Sequence, residues 1–116
     1  MLLLSADAFD ELVGHALDGI PSALADLIDN VVVLVEDEPP ESEGELLGLY
    51  EGVPLTERDT QYSGVLPDRI TIFRGPVLRV CSTPEQVVDE VRITVVHEIA
   101  HYFGIEEGRL HELGYG

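Results

Sequence analysis

Lysine and tryptophan are absent from this 116-residue chain, and its six basic residues, all arginine, face 23 acidic ones for a formal net charge of −17. Phosphate binding works by displacing counterions with Lys and Arg, so a chain this acidic is excluded as a nucleic-acid binder. An anionic membrane surface is excluded on the same ground. The imbalance is concentrated: residues 1–60 carry 15 acids against Arg58 alone, whereas residues 61–116 carry eight acids against five arginines. Cysteine is nearly absent as well. With Cys81 alone, no internal disulfide can form, which fits a reducing compartment. No stretch approaches the roughly 20 apolar residues of a membrane span. The N-terminal Met-Leu-Leu-Leu-Ser lacks the basic start and long apolar core of a signal peptide. A soluble, cytoplasmic protein is expected.

Against these absences stands a hydrophobic fraction of 45%, well above that of a disordered acidic tail, so a packed core is within reach. The length suits a single domain over residues 1–116. Such a chain buries only about two-thirds of its unfolded surface, so its stability should be modest and a bound metal would add to it.

Phe9, Leu12, Val13, Ala16 and Leu17 recur at helical spacing in residues 5–18, with Ser5 or Asp7 available as the cap and Gly19 as the stop. Pro21 and Ser22 open a second short helix through Ala23, Leu24, Leu27 and Ile28, which Asn30 ends. Val31–Val35 is a β-branched run without alternation, which predicts a strand buried on both faces. Residues 36–45, acidic and with a double proline, read as a solvated loop. Leu46–Tyr50 reads as a second strand, followed by a loop through Gly52, Pro54 and Gly64. Arg69–Arg74 alternates polar and apolar positions, which predicts a strand with one exposed face or at a sheet edge. Gly75-Pro76 interrupts it, and Val77–Val80 either continues extended or begins a turn.

The last long element carries the chemistry. Thr83 as N-cap, Pro84 at the first position and Gln86 three residues past the cap start a helix that should run from 84 to 103. Val88, Val91, Val95, Ile99 and Tyr102 make one apolar stripe on it, and Ile93, Val96, Ala100 and Phe103 another. A helix apolar over most of its circumference belongs in the middle of a fold. Val91–Val96 has strand propensity, but the cap and the 3.6-residue period decide for helix.

On that helix lies His97-Glu98-Ile99-Ala100-His101, an H-E-x-x-H. Histidines at i and i+4 stand one turn apart on one face, so both imidazoles can reach one tetrahedral metal. Glu98 is turned by about 100° from His97, where it can take a proton from water without ligating the metal. Zinc lowers the pKa of a bound water to roughly 7, within range of a carboxylate base. A polar i,i+4 face on an exposed helix produces the same pattern by chance, but this helix is the most apolar in the chain, and two buried histidines and a glutamate there need partners. The pattern extends to H-E-x-x-H-x-x-G-x-x-E. Gly104 can adopt the left-handed conformation that ends a helix, which returns Glu107 toward the site as a third ligand and leaves a fourth position for water.

These residues, with Asn30–Glu36, Leu47–Gly52, Leu66–Pro76, Val91–His101 and the tail Arg109–Tyr115, make the chain resemble the small zincin-like metallopeptidases, a minimal zincin domain. The resemblance implies an α+β fold: a small mixed β-sheet packed on the H-E-x-x-H helix, plus N-terminal helices. It also implies a metal-dependent peptidase whose third ligand is usually an aspartate at the position of Glu107. This chain departs there by one methylene, and has Gly108 where the family more often has a polar helix former.

The expected function is a zinc-dependent metallopeptidase with Glu98 as general base, His97, His101 and Glu107 as ligands, Zn2+ as cofactor and a peptide or protein as substrate. Neither nucleic acid nor membrane is an expected partner, and a monomer is expected. The Arg69–Arg74 strand is the expected edge for an extended peptide to join, and the acidic surface favours basic peptides by steering. The alternative is a non-proteolytic metal-binding or protein-interaction domain that keeps the zincin fold; the few residues after Gly104 favour it, and retention of Glu98 favours the enzyme. His111, four residues after Glu107, is a surface histidine, a partner of one of the ligands or an alternative ligand. His15 is structural or exposed. Tyr102 and Tyr115 are candidates to stabilise an oxyanion, although Tyr102 reads better as core. Cys81 lies just before a helix N-terminus, which lowers a thiol pKa, or is inert packing. The only methionine is Met1, so no methionine turn lies under the site.

Overall fold

Among the residues described by a computed structural model, 2–26, 31–52 and 67–112 apart from the side chain of Glu107, the local signals of the sequence set the helices. Helix α1 spans Ala6–Asp18, with the Ser5 hydroxyl accepting the Ala8 N–H at 3.1 Å. Phe9, Val13 and Ala16 turn inward from it. A short α2 (Ser22–Ala25) follows Pro21 and buries Leu24. The expected end of that helix, with Leu27, Ile28 and Asn30, lies outside the described residues, as do the loop around Pro54 and Gly64 and the tail with Tyr115.

Among the described residues three strands, β1 (Val31–Glu36), β2 (Gly48–Glu51) and β3 (Asp68–Phe73), form a mixed sheet in the order β1-β3-β2. β1 runs parallel to β3, with Val33 opposite Ile70, and β2 runs antiparallel to it, with Tyr50 opposite Ile70. Two expectations are corrected here. β1 is an edge strand with one face open: Val31, Val33 and Val35 pack on the core, whereas Val32 and Leu34 are 40% and 41% exposed. The apolar run gives no sign of this, because it reads the same whichever side faces water. Arg69–Arg74, expected at an edge, is instead the central strand, and all of β3 except Arg69 is buried. Thr71 reads as a polar, outward position, but Leu34 and Leu49 flank it in register on both sides. Asp68 is buried, and its Oδ2 accepts the Tyr50 hydroxyl at 2.7 Å.

Val77–Val80 belongs to a helix, α3 (Arg74–Val80), and neither extends the strand nor forms a simple turn. Pro76 sits in its first turn, where a missing N–H is tolerated, and the Gly75 N–H donates to the Asp37 carbonyl at 2.8 Å. The acidic loop is exposed, as expected, but it is tied down: Arg79 bridges Glu38 and Glu45 at 2.7 and 2.6 Å, and Arg74 pairs with Asp37. The Arg79 hydrogen bond holds the Glu38 carboxyl below the ordinary carboxylate range.

Helix α4 (Pro84–Phe103) starts where expected: the Thr83 hydroxyl accepts the Gln86 N–H, and the Gln86 amide oxygen reaches back to the Ser82 N–H. It buries Val87, Val91, Val95, Val96, Ile99 and Ala100 between α1 and the sheet. The expected stripes hold only in part, since Ile93, Tyr102 and Phe103 are 40%, 49% and 42% exposed. Cys81 is buried, and burial pushes its thiol pKa up, so packing overrides any lowering by the helix N-terminus. Gly104 ends α4 at φ 68° and ψ 32°, and a final α5 spans Glu107–Glu112, anchored by buried Leu110.

Where β2 meets α4 the strand backbone lies close against a side chain of the helix. A Cβ on Gly48 would stand 2.7 Å from Thr94 Cγ2 and 3.1 Å from the Thr71 carbonyl oxygen. Gly48→Ala should therefore lower stability by about 1–3 kcal/mol. Adding Thr94→Ser, which removes the colliding methyl, should restore part of that loss. Urea denaturation in a double-mutant cycle reads the coupling, and strict additivity would show that this approach does not limit the packing.

Candidate metal centre

Residues three, four, seven and eight positions apart share one side of a helix. On α4 that rule collects Ile93, Thr94, His97, Glu98 and His101, which line a pocket of about 290 Å³ against the Leu46–Gly48 segment leading into β2. His97 and His101 thus open on the same space, as their spacing predicts. Their burial differs from expectation: His97 is half-buried and His101 is exposed. The helix presents its polar side at the margin of the fold, because its valine side already occupies the middle.

Glu98 is half-buried, and its Oε1 accepts the main-chain N–H of Tyr50 at 3.0 Å. This bond joins the helix to the strand across 48 residues of chain. Tyr50 is itself held at three points. Its hydroxyl donates to Asp68 Oδ2 at 2.7 Å, its ring stacks on Tyr102 with centroids 4.1 Å apart, and Phe103 meets it edge-on at 6.1 Å. Tyr102 is therefore neither core nor part of the pocket wall that holds the histidines; it is a half-exposed partner of Tyr50.

Tyr50 and Asp68 escape a reading of the sequence. The nearest signal is the pair of glycines, Gly48 and Gly52, that frames Tyr50. Gly48 admits Thr94, and a side chain at Gly52 would collide with the Tyr102 hydroxyl.

The remaining expected site residues fall as follows. Gly104 reverses the chain in the left-handed conformation, with its own N–H and that of Ile105 bonded to the Ala100 carbonyl. Glu107 then begins α5, three residues on, with its side chain outside the described set. His111 and His15 are both exposed. Among the described residues no group of three or more His, Cys, Asp or Glu side chains could hold a metal. Two imidazoles one turn apart on a common pocket are nevertheless a donor pair suited to zinc, and a carboxylate from outside that set would complete three ligands.

The sequence matches the zincin-like metallopeptidase family over residues 28–116. No curated protein matches it. Among solved structures, a conserved hypothetical protein from Thermus thermophilus is similar, at 27% identity and a TM-score of 0.56, over 90% of this chain and 99% of that one.

The Tyr50 anchor can be weighed by substitution. Tyr50→Phe keeps the ring stack and removes the donor to buried Asp68, so it should lower stability by about 1–2 kcal/mol. Tyr102→Ala removes the stack and should cost about 0.5–1.5 kcal/mol. Both are read by urea denaturation; a loss below about 0.5 kcal/mol for Tyr50→Phe would mean that the phenol is not the main donor to Asp68.

Proposed function

The chain belongs to the zincin-like metallopeptidase family, and on that premise we propose that it is a zinc-dependent metallopeptidase, with His97, His101 and Glu107 holding the metal and Glu98 as general base. The observation that carries this reading is the pocket shared by His97 and His101, with Glu98 on its wall and tied to a strand edge. Zinc held by those three residues would polarise a peptide carbonyl and bring a water pKa to about 7. Glu98 takes a proton from the attacking water and returns it to the departing amine nitrogen, which needs a carboxylate held in place but outside the ligand set. Glu98 answers that description, because it lines the same pocket as His97 and His101 while standing one residue away from the i,i+4 pair on the helix.

The substrate is an extended peptide that joins the outer edge of β2, beside the histidine pair. β3 cannot serve, because β1 and β2 already pair with both of its edges. A non-proteolytic metal-binding domain is the second reading. It is favoured by the size of the pocket, about 290 Å³, at the lower limit of ordinary ligand sites.

The exposure of His101 bears on what metal removal does. An exposed imidazole needs no metal to satisfy it, so the apo chain should stay folded, with zinc adding stability by mass action. The expected result is one zinc per chain by elemental analysis and a melting temperature that falls on chelation without loss of the fold. Glu107→Ala should weaken zinc binding about 10-fold or more, and Glu106→Ala should leave it nearly unchanged. Glu98→Gln should retain zinc and abolish hydrolysis of unstructured peptides. If His111→Ala costs the affinity while Glu107→Ala does not, the site uses three histidines. If zinc binds and the wild-type chain cleaves nothing across a broad peptide library, the second reading holds.

A further inference from the structure

The hydrogen-bonding parity of β2 determines which of its main-chain groups are available. The Phe73 N–H donates to the Leu47 carbonyl at 2.9 Å, and the register continues as Leu49 opposite Thr71 and Glu51 opposite Arg69. In an antiparallel pair, hydrogen-bonded and non-bonded positions alternate. Leu47, Leu49 and Glu51 therefore turn their main-chain groups toward β3, and Gly48 and Tyr50 turn theirs to the opposite edge. That edge is where a peptide would add as a strand, and the Tyr50 N–H on it is already given to Glu98 Oε1 at 3.0 Å. The donor is fixed, because Tyr50 is held by Asp68 and by the Tyr102 ring, and Gly48 sets the distance between strand and helix. The acceptor is a half-buried side chain with rotatable bonds. One N–H is thus claimed both by the resting base and by an incoming strand.

We propose that the Tyr50 main-chain N–H is a positioning group that latches Glu98 until a peptide arrives. A peptide that pairs with β2 brings a carbonyl to Tyr50 N–H, takes over that hydrogen bond and frees the Glu98 carboxylate to act on water. This rests on the peptidase reading and deepens it by naming the substrate class: extended chains with a main-chain carbonyl in register with Tyr50. Short amides that reach the metal but lack that carbonyl leave the base latched. The exchange replaces one hydrogen bond on a fixed donor with another, so docking need not melt any element of the fold.

The first test needs neither metal nor turnover. Amide hydrogen exchange, followed by NMR on the apo chain, should show the Tyr50 N–H exchanging about tenfold faster in Glu98→Ala than in the wild type. The amides of Leu49 and Glu51, which bond within the sheet, should be unchanged. A Tyr50 amide that does not respond, or a loss of protection along the whole of β2, overturns the latch whatever the chain catalyses. The second test uses the zinc-loaded chain, with the Tyr50 amide replaced by an ester so that the N–H is lost and the phenol kept. The substrates are an unstructured peptide of about ten residues and a blocked dipeptide amide. In the wild type kcat should favour the long substrate, and in the ester variant that ratio should narrow by about 10-fold. An unchanged ratio overturns the proposal even if both substrates are cleaved. Failure of the wild type to cleave either substrate, with the exchange result intact, locates the failure in the peptidase reading and overturns the substrate half of the proposal with it.

Discussion

A helix that carries ionisable side chains can bury only its apolar side deeply without leaving polar groups stranded, and α4 resolves this by dividing its two sides between the core and the candidate site. Val87, Val91, Val95 and Ile99, spaced four apart, are fully buried between α1 and the sheet. Each valine gives up about 0.5 kcal/mol of helix propensity. Burying it returns about 1.5 kcal/mol or more, so packing wins and a stretch with strand-like composition becomes a helix. The adjacent side, with Thr94, His97, Glu98 and His101, is then obliged to face β2. The rotation of α4, fixed by its valines, aims the histidines.

What could be read from the sequence follows the range of the interaction involved. The caps at Ser5 and Thr83, the left-handed stop at Gly104 and both ends of α4 involve groups within a few residues, and each is where the sequence places it. The order of the strands depends on partners far away in the chain, and there the pattern misleads. Val31–Val35 reads as a doubly buried strand and lies at an edge, whereas the Arg69–Arg74 segment reads as an edge and lies at the centre. The site divides in the same way. His97, Glu98 and His101 are legible because one helix carries them, while the Tyr50 N–H on Glu98 and the Tyr50 hydroxyl on Asp68 span 48 and 18 residues and leave no local trace.

The charge imbalance plays a structural part. The acidic loop after β1 is repulsive by itself, and Arg74 and Arg79 in α3 neutralise it at Asp37, Glu38 and Glu45. Exposed pairs of this kind contribute little each. Here a single guanidinium bridges two carboxylates, and the Gly75 N–H adds a main-chain bond to Asp37. The loop is thereby drawn over α3, and Glu45, its last acidic residue, leads directly into the Leu46–Gly48 wall of the pocket. The arginines of α3 thus help to define the entrance to the histidine pair without touching it.

The proposed ligands rest on elements of very different firmness, and this difference governs how the site would work. His97 and His101 ride on a 20-residue helix with a buried side, so their spacing is fixed by the backbone. Glu107 begins a six-residue helix reached through Gly104, and Leu110, 4% exposed, is the buried residue that anchors it to the core. A helix that short has little stability of its own. Among the described residues it is seated by Leu110 and, just before it, by Ile105, which packs against the core after the Gly104 turn. A glutamate has one methylene more reach than an aspartate, so as a ligand it would allow the backbone at this position to stand further from a metal. If these residues hold a metal as proposed, two donors come from one long helix and the third from the short helix that Leu110 helps to seat, so affinity would depend on both elements.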